Sequence, residues 1–282
     1  MSHRVFLYLI FTISRPRFWL YLAGPFLIGS VPKFMTHYSD PAWYLLFIFF
    51  LIPANIFLYG INDYYDHDTD LLNPKKQTKE HLLSSVERHR VQPLLIVAAA
   101  SYIIPIALSP HLSTRLMCLL LLFLSYGYSA PPLRFKRRPI IDSLSNALYI
   151  IPGIIGYSYT AGALPDWRIT LACVLWASAM HLFSAVPDIF SDRAANLTTT
   201  AVYFGKQRPL IICSCLWIAS FIFATQSLLT IVPWSIPLAL YPLLPLYAIY
   251  SRNSIMRIYW WFPFINMLNG LCLYIGSMLA NR

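Results

Sequence analysis

PANIFLYGINDYYDHDTDLLNPKK, residues 53–76, begins as an apolar run and ends with four aspartates inside nine residues, Asn62 to Asp70. The chain has only eleven acidic residues in 282, is 58% hydrophobic and is 11% charged. Two further acids, Asp188 and Asp192, form a second spaced pair far downstream in SAVPDIFSDRAANL. Carboxylates are among the most costly groups to place next to a bilayer, so acids gathered at the ends of apolar segments require a compensating charge. A divalent metal supplies that charge with the fewest groups.

The composition points to a polytopic membrane protein. Mean hydropathy is +0.58, and the apolar residues come in long runs rather than short alternating ones. Spans are expected at 17–31, 41–61, 91–109, 112–130, 140–160, 168–187, 209–228, 231–250 and 258–280, each near the ~20 residues that cross a hydrocarbon core. The expected fold class is therefore all-α, with about nine transmembrane helices in a single domain over residues 1–282. The alternation of a transmembrane barrel is absent, and lipid-facing backbone has to satisfy itself internally. Arg15 and Arg17 interrupt the first apolar stretch, so no cleaved signal is expected.

Assigning Lys and Arg to loops places seventeen of the twenty-one on one face: Arg4, Arg15, Arg17, Lys75, Lys76, Lys79, Arg88, Arg90, Arg134, Lys136, Arg137, Arg138, Arg193, Lys206, Arg208, Arg252 and Arg257. Lys33, Arg115, Arg168 and Arg282 fall on the other. The positive-inside rule then sets the N-terminus and both acid clusters at the cytoplasmic side of the cell inner membrane. The net charge of +10 is explained by these loops, which excludes a nucleic-acid role. The five cysteines fall inside expected spans and read as small apolar filler.

If the second span continues as helix through the motif, ~100° per residue puts Asn62, Asp63, Asp66 and Asp70 on one face, with Asp68 off it. Asp188 and Asp192, at i and i+4, share a face as well, and Pro187 marks a kink or restart before them. The two halves of the chain thus repeat one device, an apolar helix ending in spaced aspartates at the same membrane face. Hard oxygen donors at this density suit Mg²⁺, which is usually bound through a few carboxylates plus substrate phosphate. Acids that merely marked a hydrated loop, or paired with the lysines of NPKKQTK, would have no reason to share a helix face.

The basic stretch YGYSAPPLRFKRRP, residues 126–139, supplies cations on the same side. Arg134 and Lys136, read as lying on one side of an extended loop, are the candidates for phosphate oxygens, with Arg193 and Arg15 beside them. Aromatic residues make up 16% of the chain, and ring faces stabilise a cation without quenching it. Tyr59, Tyr64, Tyr65, Tyr126 and Tyr128 are the candidates for that role. His67 sits in the first motif as a supporting group, while His181 reads as a hydrogen-bonded packing residue on a membrane helix. Neither a nucleophilic triad nor a glycine-rich phosphate loop is legible.

These residues resemble the UbiA superfamily of intramembrane prenyltransferases. Asn62-Asp63-x-x-Asp66-x-x-x-Asp70 matches that family's first aspartate motif and Asp188-x-x-x-Asp192 the second. Arg15-Pro16 and Ser129-x-Pro131-Pro132-Leu133-Arg134-x-Lys136 carry the likeness across nearly the whole chain. The resemblance implies nine helices around a central cavity, Mg²⁺ held by both motifs, and transfer of an isoprenyl group from its diphosphate to a hydrophobic acceptor. Within the superfamily the phrasing looks most like the lycopene elongase branch, which implies dimethylallyl diphosphate as donor and a polyene as acceptor; an aromatic or quinone precursor is the alternative acceptor.

The resulting expectation assigns Asn62, Asp63, Asp66, Asp70, Asp188 and Asp192 to the metal. Arg15, Arg134, Lys136 and Arg193 neutralise the donor diphosphate, and Tyr59 and Tyr126 line its pocket. Asp63, Asp66, Asp188, Asp192 and Lys136 carry the catalysis. A secondary transporter also uses repeated halves and intramembrane acids, but it predicts broken helices and acids near the midplane, whereas these acids are expected at the cytoplasmic ends beside proline-bounded basic loops. A non-catalytic assembly subunit keeping the fold is the other rival.

Overall fold

Pro53 interrupts the second apolar run and sets the pattern for the whole bundle, which is built from helices broken at defined points. A computed structural model describes residues 3–31, 39–71, 82–227, 236–251 and 255–280. Lys33, Lys75, Lys76, Lys79, Arg252 and Arg282 lie outside the described residues, as do the side chains of Arg4, Asp68 and Asp70. All regular elements among the described residues are helical. They are α1 (His3–Ser14), α2 (Trp19–Ser30), α3 (Pro41–Leu51), α4 (Pro53–Tyr65), α5 (His67–Asp70), α6 (Ser85–Ala100), α7 (Ile103–Leu108) and α8 (Leu112–Ser129). The C-terminal half continues with α9 (Ile141–Leu144), α10 (Ile151–Ala161), α11 (Trp167–Ala185), α12 (Ile189–Ala194), α13 (Thr200–Phe204), α14 (Arg208–Ser227), α15 (Leu243–Tyr250) and α16 (Ile255–Ala280).

Six continuous or nearly continuous helical stretches are long and apolar enough to cross a membrane: Pro41–Tyr65, Ser85–Leu108, Leu112–Ser129, Trp167–Ala194, Arg208–Gln226 and Ile255–Ala280. The protein is an integral membrane protein. The count of nine full spans does not carry over to the described residues, because three expected spans are short or divided. α2 has 12 residues and rises only ~18 Å. α10 has 11 residues and begins after a 3₁₀ turn, Ser145–Tyr149, with a proline in its first turn. Residues 236–250 split into a 3₁₀ turn and α15 around Pro242.

Each break has a local reason. Proline lacks the N–H that would close the helix ladder, which frees a carbonyl one turn earlier. At the α3–α4 junction the fully buried Asn55 repairs the loss, its Nδ2 donating to the carbonyls of Phe50 at 2.7 Å and Leu51 at 3.1 Å. In an apolar setting an unrepaired carbonyl would be far more costly.

Two apolar cores fill the bundle. One joins Phe26, Leu46, Phe50, Tyr102 and Leu121 of the N-terminal half, and the other joins Phe183, Trp217, Tyr241 and Phe262 of the C-terminal half. Tyr149 packs against both. Outward residues are equally apolar: Leu112, Leu116, Leu119 and Phe123 form one exposed stripe along α8, the surface expected against lipid.

α2 and α10 approach each other through glycine. A Cβ on Gly29 would stand 2.7 Å from the carbonyl carbon of Gly153, and one on Gly156 would stand 3.1 Å from the backbone nitrogen of Ser30. Small residues that admit backbone-to-backbone contact are the usual means of packing helices where lipid removes the hydrophobic drive. Gly29→Ala is therefore expected to lower stability by ~1–3 kcal/mol, seen as a lower thermal midpoint in detergent. Gly24→Ala, whose Cβ would meet nothing closer than 4.0 Å, should leave the midpoint unchanged.

Candidate active site

The two aspartate motifs occur where α4 and α11 break. α4 stops at Tyr65, Asp66 leaves helical geometry with φ −105° and ψ 4°, and α5 restarts at His67. The single helix face expected from Asn62 to Asp70 therefore holds only as far as Asp66. α11 ends at Ala185, a 3₁₀ turn covers Val186–Asp188, and α12 carries Asp192. Pro187 in that turn is the expected restart point.

Asp66 is only 1% exposed. Its Oδ2 accepts from Asn62 Nδ2 at 2.7 Å and from Ser129 Oγ at 3.2 Å, and it pairs with Lys136 Nζ. Asn62 Nδ2 also donates to Ser129 Oγ at 2.9 Å. One carboxylate oxygen thus joins α4, the end of α8 and the basic turn that follows. Asp63 has a different role from its motif neighbours, accepting from Arg15 at 2.5 Å. The Arg15 guanidinium lies 4.8 Å from the centre of the Tyr59 ring. Arg15 reaches this position from a left-handed backbone conformation, φ 49°, in the break between α1 and the 3₁₀ turn Pro16–Phe18.

Both motifs open onto one cavity of about 220 Å³. Asn62, Asp66, Asp188 and Asp192 line it with Arg15, Lys136, Ser184, Ser191 and Thr199. Thr199 Oγ1 donates to Asp192 at 3.2 Å. A second cavity, of about 200 Å³, shares Arg15, Asn62, Tyr128, His181, Ser184 and Tyr259 with the first. It adds Phe18, Tyr21, Tyr59, Tyr149 and Phe262. The combined space has an acidic, hydroxyl-rich mouth and an aromatic interior.

Not every expected residue faces it. Asp63, Arg134, Arg193 and Tyr126 are absent from the lining of both cavities, and Arg193 is exposed. The extended loop expected around Arg134 and Lys136 is instead a 3₁₀ turn, Phe135–Arg137, entered through Arg134 at φ 42°. The left-handed Arg134 precedes the turn rather than sharing an extended side with Lys136, and it is Lys136 that pairs with Asp66. Tyr126 stacks edgewise on Tyr65, centroids 6.4 Å apart. Tyr59 and Tyr128 line the aromatic cavity.

Two residues are more prominent here than their sequence context suggests. His181, expected only to pack, lines both cavities. Asp142, which belongs to neither motif, is completely buried and lies 3.9 Å from His181 Nε2. In sequence Asp142 is a lone acid in RRPIIDSLSN, with no spacing to mark it.

The donor chemistry of the mouth fits a hard divalent cation. Its oxygens come from carboxylates, hydroxyls and the Asn62 amide, and the described residues include no cysteine in the lining. Among the described residues no three acidic or ligating side chains converge on one point. Mg²⁺ is usually bound through a few carboxylates together with water and substrate phosphate, the kind of oxygen donors found in this lining.

A model described as the UbiA prenyltransferase family matches residues 17–269. A lycopene elongase/hydratase from Halobacterium salinarum is 41% identical over 273 residues, covering 95% of this chain and 96% of its own. Another, from Corynebacterium glutamicum, is 34% identical over 225 residues, covering 77% of this chain and 76% of its own. A UbiA homologue from Archaeoglobus fulgidus, solved bound to DMAPP and Mg²⁺, superposes with a TM-score of 0.75 at 25% identity, covering 95% of this chain and 98% of the other.

The Lys136–Asp66 pair yields a stability test. Lys136→Met leaves a nearly buried carboxylate without its cation, while the double variant with Asp66→Asn removes both charges. Side-chain exposures of 13% and 2% place the pair short of full burial, so the single change should cost on the order of 2 kcal/mol, below the ~3–5 of a fully buried pair. In metal-free buffer the thermal midpoint should fall for the single variant and recover most of the loss in the double.

Proposed function

This chain belongs to the UbiA prenyltransferase family and is a prenyltransferase, and from that premise we propose that it moves a dimethylallyl group from its diphosphate onto a long polyene such as lycopene. The observation that carries the reading is the single cavity in which Asn62, Asp66, Asp188, Asp192, Lys136 and Arg15 meet, continuous with an aromatic chamber. A prenyl diphosphate has the same division, one highly charged end and one apolar end. Identity of 41% across nearly the full length of a lycopene elongase/hydratase supports the polyene acceptor over an aromatic or quinone precursor.

Asn62, Asp66, Asp188 and Asp192 would hold Mg²⁺ at the mouth; the side chain of Asp70, the remaining candidate, lies outside the described residues. Bound there, the ion supplies Lewis-acid stabilisation of the negative charge that grows on the departing diphosphate. The protein's own cations share that work. Lys136 Nζ sits on Asp66 and Arg15 on Asp63, both at the edge of the mouth, where preorganised donors act on developing charge at low dielectric. Asp63 fixes the Arg15 guanidinium rather than taking the metal itself. Arg134 and Arg193 add positive potential from outside the lining, which steers an anionic donor inward, and Tyr126 braces Tyr65 at the rim.

Deeper in, the ring faces of Tyr21, Tyr59, Tyr128 and Tyr149 surround the allylic carbon as its bond to oxygen loosens. They stabilise a cation through their quadrupoles and offer no strong nucleophile to capture it. The acceptor's terminal double bond then attacks. The loop charges favour an orientation with the mouth at the cytoplasmic face of the inner membrane, and the chain acts as one domain over residues 1–282.

Asp66→Ala and Asp188→Ala should each reduce transfer at least ~100-fold, the scale of losing one preorganised electrostatic contact, while membrane insertion stays intact. The measurement is label recovered in the lipid extract from membranes given radiolabelled dimethylallyl diphosphate, Mg²⁺ and lycopene. An active, Mg²⁺-dependent double variant would overturn the assignment. Expression in a lycopene-accumulating host should shift the pigment mass by five-carbon increments, and unchanged pigment alongside a labelled quinone fraction would favour the aromatic acceptor.

A further inference from the structure

Asp142 is a carboxylate for which the donor site has no evident use. It is 0% exposed, and its oxygens are held by the backbone. Ser143 N donates to Oδ1 at 2.8 Å, Thr200 N donates to Oδ2 at 2.8 Å, and the Thr200 hydroxyl donates to Oδ1. Thr200 Oγ1 in turn accepts from Ile140 N at 2.6 Å. Ile140 has φ 71°, a strained value for a β-branched residue that persists only where surrounding contacts over-determine it. The chain thus fixes Asp142 in place at the expense of backbone strain.

Among the described residues the only group able to carry positive charge within 4 Å of this carboxylate is His181, with Nε2 3.9 Å from Oδ2. His181 lines both cavities and is 16% exposed to them. Neither of its ring nitrogens has a hydrogen-bond partner in the described protein, and its edge meets the Tyr128 ring at 6.0 Å, nearly perpendicular. The groups around it are Tyr128 from α8, Asp142 from α9 and, in the shared mouth, Asp188, Lys136 and Arg15. A cavity-facing imidazole 3.9 Å from an anchored, buried carboxylate has a negative charge close enough to stabilise the imidazolium that forms when the ring takes a proton, without a hydrogen bond between them.

Resting on the transfer reaction proposed above, we propose that His181 is the base that ends the cycle and that Asp142 is its positioning residue. The new C–C bond forms from the acceptor's π pair as the diphosphate leaves with the allylic C–O pair, which puts the cation on the acceptor's tertiary carbon. His181 then takes one proton. If the proton comes from the adjacent carbon, the C–H pair becomes a double bond. If it comes from a water whose oxygen has bonded to the cationic carbon, the product is a tertiary alcohol. In both endings the proton passes from the imidazolium to the released diphosphate as the site empties. The shared chemistry is proton acceptance where the aromatic chamber meets the metal-binding mouth, since His181 lines both.

The test uses the full chain in membranes, with Mg²⁺, labelled dimethylallyl diphosphate and lycopene, in ordinary and in heavy-oxygen water. It reads donor cleavage and completed product separately. His181→Gln keeps a hydrogen-bonding side chain but not the base, and should lower completed product by ~100-fold while donor cleavage continues and labelled alcohol or uncoupled diphosphate accumulates. Asp142→Asn should lower the kcat for product about tenfold, with the KM for donor unchanged; a merely structural role would raise KM and weaken donor cleavage in parallel. Heavy oxygen in the wild-type product identifies water as the proton source, and its absence identifies carbon. Wild-type product yield and distribution in His181→Gln would overturn the inference, as would loss of donor cleavage equal to the loss of product. A wild-type chain that cleaves donor but never labels lycopene refutes the acceptor assignment instead.

Discussion

One oxygen of Asp66 links the end of α4, the end of α8 and the 3₁₀ turn that carries Lys136. Asn62 from its own helix and the stretch from Ser129 to Lys136, more than sixty positions later, meet on it and supply three kinds of donor: an amide, a hydroxyl and an ammonium. In a setting this poor in water, a carboxylate without such partners would be strongly destabilising. The geometry of the mouth therefore follows from the need to satisfy that group. Asp63 is treated the same way by a separate cation, Arg15, so neighbouring aspartates of one motif have different cationic partners.

That requirement explains why the helices break where they do. An intact helix through Asn62–Asp70 would carry the acids on a continuous face and project the later ones well past Lys136. Leaving helical geometry at Asp66 turns the chain, and the matching 3₁₀ turn at Val186–Asp188 does the same for the second motif. Broken helices with internal acids are also the mark of transporters. Here the breaks flank one enclosed polar mouth joined to an aromatic chamber, and the family assignment makes the protein a prenyltransferase.

Much of this was legible in the sequence because composition and spacing act locally. Long apolar runs fix the helical class, and i, i+3 or i+4 spacing fixes which acids share a face over one turn. Asn62, Asp66, Asp188, Asp192, Lys136 and Arg15 meet in one cavity on that basis. The departures concern geometry that no periodicity records. A 3₁₀ turn in place of an extended loop separated Arg134 from Lys136. Among the described residues three expected spans appear as shorter helices beside 3₁₀ turns, with Pro152 in the first turn of one and Pro242 dividing another. Asp142 was invisible because its importance is purely tertiary: its partners are Ser143, Thr200 and His181, two of them about forty and sixty positions away along the chain.

The placement of that buried acid bears on how one cavity can serve two opposed demands. The mouth has to stabilise negative charge on a leaving diphosphate, which calls for cations and metal. The chamber has to stabilise a carbocation, which calls for ring faces and no nearby strong base until the new bond has formed. A carboxylate lining the chamber would quench the cation outright. Setting Asp142 behind His181, with its oxygens occupied by backbone N–H groups and a threonine hydroxyl, lets its negative charge act across the imidazole without direct contact. The neutral ring is a weak enough base to tolerate the cation beside it, and the anchored carboxylate supports the charge once the proton arrives. On the proposed mechanism, separating the two charge signs along a single cavity, with a histidine at the boundary, would let a fold this poor in polar groups carry out ionisation and deprotonation in sequence.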